Sequence, residues 1–274
     1  MTKTLYFDCF TGISGDMTIA ALLDTGISFE WFENELKALG LAEEYELKLH
    51  KVIKNGINSN KFDVIYENNQ QEHDHTHNHH EHSHQHDHTH NHHHHGHNHS
   101  HSHHHRHYKD IVQLIEQSEL NDSVKRMSLE MFREIGEAEA KIHGMDLQNV
   151  HFHEVGAIDS IIDIVGTAIL VDALKVDKII SASVPVGSGH IHIDHGIYPV
   201  PAPATLEVLK GVPLKESKIK GELTTPTGAA IIKTLAKEFS TMPNFKVEKI
   251  GYGAGTKTFD NQPNVLRIIV GESV

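Results

Sequence analysis

The sequence predicts an α/β or α+β fold, a mixed sheet with flanking helices, interrupted by a histidine-rich insertion. Three observations predict it. Short β-branched and aromatic runs alternate with segments whose apolar residues recur at helical spacing, and no strict repeat orders them. A length of 274 residues suits one or two domains and allows a sizeable core. Finally, 21 of the 28 histidines fall between His73 and His107. The spacers there are almost all Asn, Asp, Glu, Ser, Thr and Gln, too polar to bury a core, so the segment is expected to stay disordered. The expected organisation is an N-terminal α/β lobe over 1–70, the tract over 71–107 and a main α/β domain over 108–274.

Thr4 to Phe7 reads as a strand entering a glycine-containing turn. A helix over Asp16 to Asp24 follows, with Met17, Ala20 and Ala21 on one face and Gly26 as its stop. A second helix covers Phe29 to Leu39 and ends at Gly40. Tyr45 to Val52 and Phe62 to Tyr66, joined across Asn55-Gly56, form a hairpin. After the tract, Val124, Met127, Met131, Ile135, Ala138 and Ile142 keep helical spacing up to Gly144. Val150 to His153 is extended. Ile158, Ile161, Ile162, Val165 and Ile169 make the apolar stripe of another helix. A strand over Lys178 to Val184, short helices over Pro203 to Leu209 and Thr227 to Ala236, and strands over Phe245 to Ile250 and Val265 to Val270 complete the chain.

The formal charge of −13, without basic clusters, argues against nucleic acid and anionic membrane as partners. The amino terminus has no basic region followed by an apolar run, and no stretch approaches the roughly 20 apolar residues that span a bilayer. The lone Cys9 excludes an intrachain disulfide and fits a reducing compartment. A cytoplasmic protein is expected.

The tract is internal, long and interleaved, unlike an expression tag. Neutral imidazole is the commonest ligand for nickel, zinc and copper, so the tract concentrates metal. It lacks fixed geometry and is a poor place for chemistry, which needs positions held within about 0.5 Å. The ordered candidates lie on either side. In His151 to Asp163 an extended backbone points His151 and His153 to one side, and Asp159 and Asp163 share a helix face. With Glu154, two imidazoles and two or three carboxylates would meet, a set that accepts nickel, zinc or manganese. A satisfied core histidine, with acidic residues favoured by the helix dipole, is the ordinary alternative.

His190, His192 and Asp194 alternate with isoleucines, which fits a chelating strand face or a solvated edge equally. His195 beside Gly196 is the better ligand candidate. Asp8 and Asp16 flank a turn ahead of a helix and suit a divalent cation, although capping explains Asp16 alone. Thr224-Thr225-Pro226-Thr227 is a well-made helix cap, and its free amides suit a phosphate. Gly251 to Gly255 lacks the following helix that a dinucleotide site needs.

FDCFTGISGDM, HFHEVGAIDSIIDIVG, HGIYPVPAPAT, GELTTPTGAA and GYGAGTK, in that order with the tract between the first two, resemble the nickel-insertion family of nickel-pincer cofactor biosynthesis. The resemblance implies nickel insertion into a pyridinium bisthiocarboxylate mononucleotide, a lyase-class reaction that forms a nickel–carbon bond for the cofactor of lactate racemase. It implies Ni2+ as substrate metal, and CTP hydrolysed to CMP and pyrophosphate with Mg2+ or Mn2+. It assigns His153, Glu154 and Asp159 to catalysis, and Glu222, Thr227 and Gly228 to binding the mononucleotide. Metal falls to Asp8, Asp16, His151, His153, Asp159, Asp163 and His195. Longer members continue past Val274 with a CTP-binding region, and some are made from two reading frames joined by a frameshift. The chain therefore resembles the first product of such a pair, expected to need that region for activity. Other expected partners are lactate racemase apoprotein and further copies of the chain in a homo-oligomer. Two other readings compete: a nickel store or metallochaperone, and a zinc-dependent hydrolase.

Overall fold

In a computed structural model, described for residues 2–66, 106–152, 157–193 and 196–273, a seven-stranded mixed sheet carries its helices on one face. The chain opens with β1 (Thr2–Asp8), α1 (Gly15–Asp24) and α2 (Phe29–Leu36), the last extended by a 3-10 turn over Lys37–Leu39. The β2 (Glu46–Lys54) and β3 (Ile57–Ile65) hairpin follows. Then come α3 (Tyr108–Gln117), α4 (Asp122–His143) and α5 (Ile158–Leu174). Next are β4 (Lys178–Ser181) and four short strands, β5 (Val184–Pro185), β6 (Gly187–Ser188), β7 (His190–Ile193) and β8 (Gly196–Pro199). The chain continues through α6 (Pro203–Val208), β9 (Leu214–Lys215), β10 (Gly221–Glu222), α7 (Pro226–Leu235) and β11 (Glu238–Phe239) to β12 (Phe245–Ala254) and β13 (Val265–Ser273).

The sheet order is β11-β4-β1-β13-β12-β3-β2, so strands from before and after the tract share one sheet. β1 pairs parallel to β4 and antiparallel to β13, and β13 is antiparallel to β12. Strand alternation sends Leu5, Phe7, Ile268 and Val270 into the main core beneath the helices, while Tyr6, Ile180 and Ile269 form a small cluster on the opposite face. α5 is buried almost all round, which is why its apolar content exceeds a single stripe.

Several expected boundaries follow from local chemistry. Asn55 and Gly56 both take positive φ, 46° and 85°, the two-residue turn that matches strand twist. Gly144 closes α4 in the left-handed conformation. Other elements depart from the sequence pattern. The strand expected over Lys178 to Val184 stops at Ser181, and α2 tightens to 3-10 geometry before Leu39. α3 was not anticipated; it begins at His107, and its Ile111 and Ile115 are fully buried. Of the stretch expected to be extended, His151 makes an isolated bridge with His107, and His153 lies outside the described residues.

The glycine-rich 251–255 segment continues β12 and does not form a ligand loop. A Cβ on Gly251 would sit 2.0 Å from the Ala21 carbonyl oxygen, and one on Gly253 would sit 1.9 Å from that of Met17. α1 therefore rests its backbone directly on β12. Gly253→Ala is expected to force α1 off the strand, an overpacking cost of about 1–3 kcal/mol. A thermal melt should fall by roughly 3 °C or more; an unchanged melt would mean that the contact carries no load.

Candidate functional site

The loop after β1 is stitched to the segment before α7. Ile13 N–H donates to the Leu223 carbonyl at 3.0 Å, and Thr225 N–H donates back to the Ile13 carbonyl at 3.1 Å. Gly228 completes the contact, since a Cβ there would lie 2.1 Å from the Ile13 carbonyl oxygen. The amino terminus of α7 is thereby pinned beside that of α1. α5 crosses α1 with its own first turns on the same side, because Asp163 packs over Gly15: a Cβ on Gly15 would be 2.3 Å from the Asp163 Cβ. The β2–β3 hairpin supplies the opposite wall.

The space between them is a cleft of about 830 Å³, lined by residues that include Asp16, Asp159, Asp163, Lys61, Glu222 and Thr227. Three helix amino termini thus face one volume, and their partial positive charge offsets the carboxylates gathered there. Thr225 caps α7, its hydroxyl accepting from Gly228 N–H at 3.2 Å and lying 2.9 Å from the Thr227 hydroxyl. Asp159 accepts from Ser160 N–H at 2.7 Å.

Lys61 is the charge that sequence reading missed. It is 9% exposed, and its ammonium donates to Asp16 at 2.7 Å and approaches Asp63 at 3.1 Å. Burial alone would lower its pKa, but Asp16 and Asp63 outweigh that and raise it, so Lys61 is a fixed cation in the wall. Lys48, His50 and Lys54 line the same wall. The only signal in the sequence was a lysine and an aspartate sharing one face of a strand, a pattern that solvated strands show as often.

The Asp163 carboxyl is pushed well above the usual carboxylate range by burial and by the nearby charges of Asp16 and Asp159, with Lys61 opposing. Burial also raises Asp159, against the hydrogen bond from Ser160. A raised pKa makes a carboxylate a stronger proton acceptor than a free one.

Of the residues singled out from sequence, Asp16, Asp159, Asp163, Glu222 and Thr227 meet in the cleft. Gly228 serves the packing just described. Asp8 is paired instead with Arg267, whose Nε donates to it at 2.9 Å. His151 is exposed and stacks on His107. His190 and His192 are exposed on β7. His153, Glu154, Asp194 and His195 lie outside the described residues. Among the described residues, no three His, Cys, Asp or Glu side chains are arranged as a ready metal centre, as Asp16 is already engaged by Lys61. None of the helices among those residues is long and apolar enough to cross a membrane.

The sequence model of a family described as nickel insertion protein matches residues 5–274. The chain is 49% identical over 98% of its length to a pyridinium-3,5-bisthiocarboxylic acid mononucleotide nickel insertion protein of Geobacillus kaustophilus. Proteins of the same name from Clostridium kluyveri and Clostridium acetobutylicum are 48% and 51% identical, each over 98% of the chain. The chain spans 60%, 62% and 64% of these three relatives' lengths, respectively. No solved structure matches it.

The elevated Asp163 carboxyl has a consequence for stability. A group titrating higher in the folded chain contributes fully below its unfolded value, about 3.9, and loses that contribution as pH rises through its folded value. Asp163→Asn is therefore expected to melt higher than the parent at pH 8, by about 2 °C or more, with the gap closing toward pH 4. A lower melt at pH 8 would contradict this electrostatic reading.

Proposed function

This chain belongs to the nickel insertion protein family, and we propose that its cleft receives nickel and a pyridinium bisthiocarboxylate mononucleotide for formation of the nickel-pincer cofactor of lactate racemase. The observation that carries the reading is the meeting of Asp16, Asp159 and Asp163 with Lys61 and the capped start of α7 in one cleft. Its volume of about 830 Å³ falls in the range of small-molecule sites. The two ends of the substrate call for opposite chemistry, and the cleft offers both. The mononucleotide phosphate suits the amino terminus of α7 with the Thr227 hydroxyl and Lys54. The metal and the reacting ring carbon suit the carboxylates.

Nickel is the substrate metal. Insertion breaks one ring C–H bond and forms one nickel–carbon bond, and the proton released needs an acceptor. Asp163 and Asp159, raised in pKa and within the cleft, are assigned that proton, with Asp16 and Asp159 receiving the ion as Lys61 gives way. Glu222, Thr227 and Gly228 are assigned to the mononucleotide. His153, Glu154 and His195 are retained as motif positions, His153 and Glu154 for catalysis and His153 and His195 as metal ligands. CTP, with Mg2+ or Mn2+, is proposed to act through the part of the relatives' length that this chain does not span. The setting is cytoplasmic, the reaction of lyase class, and lactate racemase apoprotein the recipient of the product.

A nickel store or metallochaperone is the second reading, and the 21 histidines between His73 and His107 favour it. One assay separates the two: nickel-loaded cofactor is measured with this chain joined to the remaining region of a relative. Asp159→Asn and Lys61→Met are each expected to lower cofactor yield at least about 100-fold, while total nickel bound barely changes. Deleting residues 72–105 is expected to preserve yield at ample nickel. Full activity in both point variants would remove the cleft from the chemistry, and loss of all function on deletion would favour storage.

A further inference from the structure

The carboxy-terminal end of the histidine-rich segment meets the chain just before α5. His107 and His151 form an isolated antiparallel bridge, steadied by Tyr108 N–H donating to the Val150 carbonyl at 3.0 Å. Their imidazole rings lie 3.6 Å apart, centroid to centroid, at a 48° tilt. Beneath them Tyr108 and Phe132 each pack against the Phe152 ring at 6.3 Å, so the backbone that presents the two rings is anchored in the core.

Asp110, one turn into α3, accepts from the backbone N–H of His107 at 3.1 Å, and the same carboxylate oxygen lies 3.1 Å from the ring Nδ1. With the proton on Nδ1, that carboxylate aims the ring and leaves Nε2 for a metal, the pairing found behind metal-bound histidines. The His107 side chain is 32% exposed and His151 is exposed. Stacking two half-solvated imidazoles buries little apolar surface, so packing gives a weak reason to hold them together.

We propose that His107 and His151 form a two-imidazole site for a late first-row divalent cation, nickel in this chain, with Asp110 as the residue that positions His107. Two protein ligands leave the other coordination positions to water, so the ion is held exchangeably. That suits a station which receives metal and passes it on, unlike a closed structural site. The site differs from the pairing of His151 with His153 that the sequence suggests: here the partner is 44 positions away and reaches His151 through the fold. Its place in nickel delivery rests on the function proposed above; its capacity to bind the ion does not.

The test uses the full-length chain with the histidines from His73 to His105 replaced by asparagine, so that their binding does not mask the pair. Ni2+ is titrated in, and the amide signals of Tyr108 and Val150 to Phe152 are followed by NMR, with those of α4 as the measure of an intact fold. The expected result is early displacement or broadening of the first set. His107→Ala and His151→Ala should each abolish it, and Asp110→Asn should weaken it about tenfold without abolishing it. The proposal is overturned if these signals are untouched at saturating nickel, or if they respond equally in both alanine variants. Binding is the only readout, so a negative result in the cofactor assay leaves this outcome separately decided.

Discussion

The fold is organised by how closely α1 approaches its neighbours. Its backbone lies on β12 where Gly251 and Gly253 carry no side chain, and its first residue, Gly15, lets Asp163 of α5 close over it. A side chain at any of these glycines would hold the elements apart. With α1 seated in this way, the Asp16 carboxylate is brought beside Asp163, and the α7 start, stitched to Ile13, joins them. The cleft is thus a by-product of backbone contacts, and its carboxylates are placed by packing before any ligand arrives.

Such an arrangement opposes folding stability in one respect and supports reactivity in another. Burial first, and then the charges of neighbouring aspartates, raise the pKa values of Asp159 and Asp163. Helix amino termini return part of the cost, each by about 0.3–1 kcal/mol, and Lys61 returns more through its contacts with Asp16 and Asp63. Such a cleft attracts positive charge, and its carboxyls hold a proton more tightly than free ones. Metal insertion requires both.

Much of this was legible in the sequence where local chemistry decides structure. The Asn55-Gly56 turn, the caps at Gly144 and Thr225 and the face shared by Asp159 and Asp163 are local, and periodicity or turn residues disclosed them. What escaped depends on partners distant in sequence. Lys61 is buried where β3 docks on α1, and the Lys61 and Asp63 pair within residues 57–65 does not distinguish it from a solvated strand face. The pairing of Asp8 with Arg267, which stands opposite on β13, is likewise invisible in the sequence. The sequence already excludes a dinucleotide loop at the glycines 251 and 253, but it does not show the helix that rests on them. α3 was overlooked because its pattern begins within two residues of the tract, whose composition hides the start.

The β2–β3 hairpin joins the rest of the sheet through a single parallel register pair, Gly253 with Asn60. Beside the buried packing of Phe62 and Val64, polar side chains add four ties: Lys51 to Asp24 at 2.5 Å, Lys61 to Asp16, Lys54 to the Thr256 carbonyl at 3.1 Å, and Asn60 to the Ala20 carbonyl at 3.3 Å. Three of these four ties end in an ammonium group, so this part of the anchorage is electrostatic. A divalent ion arriving at Asp16 competes with Lys61 for the same oxygens. The anchorage of the hairpin and the acidic lining of the cleft therefore meet on one carboxylate.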